Sequence, residues 1–464
     1  MGLGRAAPSG VRRPGSAAAR VAAVALATLA YDGVLHAGVV AFGPPLFPYL
    51  ANRSPDRLLY AAVLALTVLS SLILPKRLER PSDLALWIVQ LTAGLPAVIC
   101  AQLLTLLTPL EGFVFAVHVL GALAVARGLT LAGPRITLGI HLHRTARHLW
   151  IALVAYAIVI YALLIGGAGA RPTFNGILDV YDLRNEFDAR VATIPLMGYL
   201  LPLLHNVVNP VLVARGVFTR NWLLAAFGLG GQVLAFLLAG QKGVLFSTVF
   251  LLGLALLYRR GRVPSGAFLA LLLAAAGSAA LVIDRLSGTL FAGSVFTRRF
   301  LILPGALAVA YTSIFTRLTQ THFGDSLLRF LGNPYAQGPT PAHIVGLDFM
   351  GHAETNANVS FLGHGYLSWG YPGMYIEAAV VGATLWAIDR AADGLPPRVC
   401  ALVMVMPGIT LASASAFTAI LTHGLAGLVL VLVLLPRDEW APGSARALWL
   451  VSRGRRRRES TPAP

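Results

Sequence analysis

Apolar runs of roughly 17–25 residues recur along almost the whole chain, and a run of that length wound as a helix spans the hydrocarbon core of a bilayer. A helix is also one of only two structures that satisfy every backbone polar group there. The runs predict membrane spans near 20–42, 58–75, 84–107, 111–127, 149–169, 193–215, 222–240, 243–258, 265–284, 372–390, 398–415 and 417–435. The expected fold is therefore all-α and polytopic, with about twelve transmembrane helices in one membrane domain over 20–435. Basic tails flank it at 1–19 and 436–464.

Composition agrees. The chain is 57% apolar and 12% charged, whereas a soluble domain carries about 25% charge. The formal charge of +17 would suit nucleic acid, but the basic residues sit in short clusters between apolar runs, as the positive-inside rule requires. Nucleic acid is thus excluded as a partner. Cys100 and Cys400 both fall inside apolar runs, so no disulfide framework is indicated.

The stretch 300–317 (FLILPGALAVAYTSIFTR) is apolar but is not counted as a span. If it crossed, the arginine cluster at 453–458 would end on the outer side, against the charge bias. It is expected to be re-entrant or interfacial, which leaves both termini in the cytoplasm and two long outer loops, 166–193 and 284–372.

These loops hold the candidate functional residues. In the first, Asp179, Asp182, Arg184, Glu186 and Arg190 alternate in sign. At helical spacing they form either a solvated amphipathic surface or a pair of arginines facing a phosphate. Lys242 interrupts two apolar runs in GQKG, a position that costs on the order of 2–3 kcal/mol unless the ammonium snorkels or pairs. Arg298 and Arg299 precede the 300–317 stretch, and Arg329 lies shortly before Tyr335. Cations on the outer side run against the charge bias and call for an anion, whether lipid headgroup or substrate. Asp32 and His36 stand inside the first span.

The segment from Gly332 to Gly373 is the longest that is neither apolar run nor basic loop. Glycine and proline punctuate it too often for regular structure, and its aromatics are wrong for a disordered tail. It reads as an ordered functional loop. His352, Glu354 and His364 are the candidate general bases for a hydroxyl substrate. Asn356 and Asn358 are further polar residues of the loop, and Tyr366, Trp369 and Tyr371 can stack on sugar rings or sit as an interfacial belt. The histidines match no metal-ligand spacing, so no metal is expected. No P-loop, dinucleotide, HExxH, GxSxG or CxxC motif occurs in its proper context, which argues against ATP, nicotinamide and metalloprotease chemistry.

Four pieces together resemble the bacterial O-antigen polymerases, the Wzy-type oligosaccharide repeat-unit polymerases. They are Val180-Tyr181-Asp182-Leu183-Arg184, Gly240-Gln241-Lys242-Gly243, Arg298-Arg299-Phe300 through Pro304-Gly305, and the run from Asn356 to Gly373, NANVSFLGHGYLSWGYPG. Lys242 departs from the arginine that many members carry, which keeps the charge and loses the bidentate fork. The resemblance implies a GT-C-like membrane glycosyltransferase in the bacterial cytoplasmic (inner) membrane. It would polymerise polyprenyl-pyrophosphate-linked repeat units at the outer face without metal or other cofactor. Asp182, Arg184, Arg190, Lys242, Arg298, Arg299 and Arg329 would bind substrate with Tyr335, Asn356, Asn358 and Tyr366. The implied partners are lipid-linked donor and acceptor glycans, membrane lipids and a chain-length regulator. A lipid-linked glycan flippase, a polyprenyl-phosphate-sugar transferase and an O-antigen ligase are the competing readings.

Overall fold

A computed structural model describes residues 17–44, 46–134, 136, 146–173, 187, 190–240, 242–259, 263–326 and 328–440. Among them there is no β-strand, only two isolated bridges. The helices in order are α1 Ala17–Ala41, α2 Arg57–Ile73, α3 Pro81–Leu103, α4 Pro109–Ala132, α5 Arg147–Gly167, α6 Met197–Thr219 and α7 Trp222–Ala239. They continue with α8 Lys242–Arg259, α9 Gly266–Ser287, α10 Phe291–Phe315, α11 Pro341–Met350, α12 Phe361–Ala391, α13 Pro397–Leu411, α14 Ala416–Leu421 and α15 Leu425–Leu434. Among the described residues, eight of these (α1, α3 to α7, α9 and α10) are long and apolar enough to cross a membrane; α2, α8, α13 and α15 are shorter apolar helices. α3 is buried along its entire length, which is the position an all-round apolar helix takes when other helices surround it.

Two pairings fix which helix ends share a face. After α1, Asn52 bridges Leu104 and the Arg53 N–H donates to Leu103 O at 2.8 Å, so the ends of α1 and α3 lie together. After α2, Arg77 bridges Ser265, which groups the starts of α3 and α9 on the opposite face. The Tyr258 hydroxyl donates to Leu78 O at 2.6 Å, and the Arg259 guanidinium lies 4.8 Å from the Trp222 ring. The end of α8 and the start of α7 therefore belong to that second face, and the end of α7 and the start of α8 to the first. The second face carries Arg127 with Asp83 at 3.6 Å and Arg215 with Glu439 at 3.0 Å.

α10 starts and ends on the first face. Its beginning packs on the end of α9, where Asp284 accepts from the Ala292 and Gly293 N–H groups at 2.8 Å each. Near its end, Ser313 Oγ donates to Leu106 O at 3.0 Å. Its midpoint lies deeper. A β-carbon on Gly305 would stand 2.2 Å from Pro96 C, and Pro96 is about 12 Å below Leu104 along α3. α10 thus bends within the bundle, where a nine-residue π-helical stretch, Ser294–Ile302, meets Pro304; π turns and prolines are common causes of bends. The stretch expected to be re-entrant or interfacial, 300–317, falls in the second part of an element that starts earlier, at Phe291.

α12 descends beside α4. His118 stacks on Tyr371 at 4.0 Å, and the Trp386 indole donates to Pro134 O at 3.2 Å. The segment 316–360, joining the end of α10 to the start of α12, accordingly sits on the first face, called the loop face below.

Candidate functional site

α12 is two helices joined by a break. Trp369 (φ −147°, ψ 30°) and Gly370 (φ 61°, ψ −146°) leave helical geometry. Gly370 sits in the left-handed half of conformational space, where glycine carries no steric penalty. Pro372 follows at the start of the second half, where its missing N–H removes no hydrogen bond. The two halves fold against each other so closely that a β-carbon on Gly373 would stand 2.0 Å from Gly365 O.

The break frees carbonyl groups that a continuous helix would have used. Leu367 O accepts from the Thr321 N–H at 3.2 Å and Ser368 O from the His322 N–H at 3.0 Å. The loop after α10 is thereby stitched to the end of the first half-helix, which brings Asp325 to His364.

His364 lies between two carboxylates. Its Nε2 faces Asp325 Oδ2 at 3.1 Å, and its Nδ1 makes a close hydrogen bond with Glu377 Oε1 across the helix break. Ionised carboxylates only accept, so an imidazolium that donates from both nitrogens satisfies the arrangement. The other Glu377 oxygen accepts from the Ala416 N–H at 2.7 Å, which fixes the carboxylate from the opposite side. Burial alone would raise the Asp325 carboxyl, but the hydrogen bond and charge of His364 outweigh it and hold the group below its ordinary range. Asp325 Oδ1 is buried without a hydrogen-bond partner. His322 (φ 51°) and Phe323 (φ 63°), both non-glycine residues in the left-handed region, lie three and two residues before it. Such residues cost on the order of 1–3 kcal/mol each and cluster at functional sites.

Of the three candidate bases, only His364 belongs to this cluster. His352 and Glu354 are exposed on the turn after α11, held through backbone bonds such as His352 N–H to Gly346 O at 3.0 Å. Asn356 and Asn358 are exposed on either side of buried Ala357, whose carbonyl accepts from the Tyr311 hydroxyl at 3.0 Å. Tyr366 is buried, and its hydroxyl pairs with Thr316 Oγ1 at 2.8 Å. Tyr335 donates to Thr319 O at 2.7 Å, and Arg329 is exposed in the 3-10 turn Arg329–Leu331. The aromatic side chain presented beside the cluster is Trp369, 49% exposed, with the His322 ring edge-on at 5.9 Å.

The cations gather on the same face. A cavity of about 520 Å³ is lined by Gly169, Arg171, Thr173, Phe187, Arg190 and Leu238, among others. This is within the size range of small-ligand sites. Arg190 Nη1 donates to Gly169 O at 2.6 Å, while Arg171 is exposed. Arg298 is engaged within the protein, with its guanidinium 3.9 Å from the Phe47 ring centroid and bonded to the Tyr49 hydroxyl and to Ser294 Oγ. Arg299 is half-buried next to it. Neither arginine lines the cavity. Lys242 opens α8, and one turn later Phe246 meets Phe300 of α10 at 6.1 Å. The Lys242 side chain, Asp182 and Arg184 lie outside the described residues.

Sequence reasoning passed over Glu377 and Arg171 and gave Asp325 no role. Glu377 had one signal: it is a carboxylate within the apolar run after Pro372, and ionisable residues in such runs mark function by default. Among the described residues no group of three or more His, Cys, Asp or Glu could hold a metal ion.

Fold and composition define a multi-pass α-helical membrane protein. No family model, curated protein or solved structure matches the chain.

Proposed function

We propose that the chain is an integral-membrane glycosyltransferase that joins polyprenyl-pyrophosphate-linked oligosaccharide repeat units into a polymer. In this reading the membrane is the bacterial cytoplasmic membrane, and the architecture is a GT-C-like bundle of about twelve spans with α10 re-entrant. The loop face looks outward, and the arginine-rich opposite face and both termini look to the cytoplasm, as the charge bias favours.

The observation that carries the reading is the Asp325–His364–Glu377 cluster, partly buried at Asp325 and His364 and fully at Glu377, built on the same face as a cavity with two arginines. Glycosyl transfer needs a base near the accepting hydroxyl and positive charge near the departing pyrophosphate. Asp325 is the base and His364 and Glu377 position it. The acceptor hydroxyl gives its proton to Asp325 as its oxygen bonds to the anomeric carbon. The bond from that carbon to the pyrophosphate oxygen breaks, and its electron pair leaves with the pyrophosphate. Arg171 and Arg190 stabilise that charge, and Trp369 offers its face to a sugar ring. Movement of the strained segment around His322 and Phe323 opens Oδ1 to the acceptor.

The test is the lipid-linked glycan profile of a deletion strain. Accumulated single repeat units on the outer leaflet support the polymerase. Units trapped in the cytoplasmic leaflet indicate a flippase, and unattached full-length polymer indicates a ligase.

A further inference from the structure

A second polar site lies inside the bundle, away from the loop-face cluster. Asp32 stands about 22 Å along α1, is 1% exposed, and faces α2. Its Oδ2 lies 2.8 Å from Thr67 Oγ1, and its Oδ1 has no hydrogen-bond partner. Thr28, also 1% exposed, sits one turn earlier on the same face of α1, and its Oγ1 is buried without a partner as well. An ionised carboxylate in such surroundings needs a compensating positive charge. No arginine, lysine or histidine forms an ion pair with Asp32 among the described residues.

The proton count around Thr67 points the same way. Its single hydroxyl hydrogen has two acceptors at 2.8 Å, Asp32 Oδ2 and Leu64 O. Both contacts are satisfied together if the carboxyl donates to Thr67 and Thr67 donates to Leu64.

We propose that Asp32, with Thr28 and Thr67, binds a monovalent cation inside the membrane domain, either a hydron or a sodium ion. Occupation neutralises the carboxylate and holds α1 against α2. The other titratable or charged groups on α1 and on the elements packed against it are Arg20, Tyr31 and His36 on α1, Arg57 and Tyr60 on α2 and Cys100 on α3. Asp83 also lies on α3, and Asp284 and Arg285 on α9 and Arg298, Arg299 and Tyr311 on α10 complete the set. His36, bonded to the Tyr60 hydroxyl at 2.9 Å, is the one imidazole in this set, so it is replaced by Gln in a control.

The full chain is reconstituted in nanodiscs of phosphatidylethanolamine and phosphatidylglycerol. Its thermal midpoint is followed against sodium, with choline holding ionic strength constant, and separately against pH. A bound cation stabilises the folded state by mass action. A sodium-specific rise in midpoint that Asp32→Asn abolishes identifies a sodium site. A midpoint that falls with rising pH, in a manner abolished by Asp32→Asn and retained in His36→Gln, identifies a hydron site. Thr28→Val, which keeps the carboxylate, should weaken whichever dependence is found. If sodium and pH act alike on wild type, Asp32→Asn and Thr28→Val, the proposal is overturned.

Discussion

Gly365 and Gly373 touch through their backbones: a β-carbon on Gly365 would lie 2.7 Å from Gly373 O. Neither backbone can yield without moving a half-helix, and the His364–Glu377 bond spans the same fold. Gly365→Ala and Gly373→Ala should each destabilise the protein by about 1–3 kcal/mol, the cost of overpacking a close-fitted interior. Gly230 and Gly253 sit in helices with nothing within 4 Å of their β-carbon positions. Alanine there should be neutral or stabilising, by about 0.5–1 kcal/mol. Thermal unfolding of the four variants in detergent checks the contrast.

Glu377 is fully buried and holds both His364 and the Ala416 N–H. Removing its charge leaves the imidazolium short of a partner, and breaking a buried ion pair costs about 3–5 kcal/mol. Glu377→Gln should lower the unfolding midpoint clearly even though it keeps the side-chain shape. A midpoint unchanged from wild type would show that no charge pairing exists there.

Asp325→Asn keeps the size of the side chain and removes the proposed base. Glycan elongation should fall by about 10²–10⁴-fold, the range for loss of a general base, with the protein still inserted at normal levels. His352→Ala and Glu354→Ala, on the exposed turn, should leave elongation near wild type. Polymer length on gels separates these outcomes.

The pH dependence follows from the depressed Asp325 carboxyl. A group whose folded-state pKa lies below its unfolded value stabilises the fold above the unfolded value, about 3.9. That contribution is lost as pH falls through the lower folded value. Wild-type protein should therefore lose thermal stability in acid below the ordinary carboxylate range, and Asp325→Asn should lose less over the same interval. Midpoints measured across that interval in both proteins decide the matter.

Arg171 lines the loop-face cavity and is exposed. Arg171→Ala should cut elongation by about 10²-fold, as removal of one charge-stabilising donor does elsewhere, with little change in midpoint. Arg298→Ala should act mainly on stability, by about 1 kcal/mol, because it loses the Phe47 ring.

The helices were legible in the sequence because length and apolarity alone decide whether a segment suits a bilayer. The bend in α10 was partly legible, because Pro304-Gly305 marks it. The candidate site was legible only at His364. Asp325 lies 39 residues before it, and the two meet because a helix break exposes carbonyls that the loop then captures. A break is suggested by closely spaced glycines, but its partner is a tertiary fact. Glu377 shows the same limit. Its spacing of 13 residues from His364 matches no helical repeat, and the pairing exists only because the helix folds on itself at Trp369 and Gly370.

Reconstitution tests the central claim most directly. Purified protein in proteoliposomes is supplied with a polyprenyl-pyrophosphate-linked repeat unit, chelator and no nucleotide sugar, and the products are resolved by length. A ladder of lipid-linked oligomers, with released polyprenyl pyrophosphate and loss of both in Asp325→Asn, is the expected result. Single units that stay unjoined by folded wild-type protein, or a ladder that Asp325→Asn leaves intact, would contradict it.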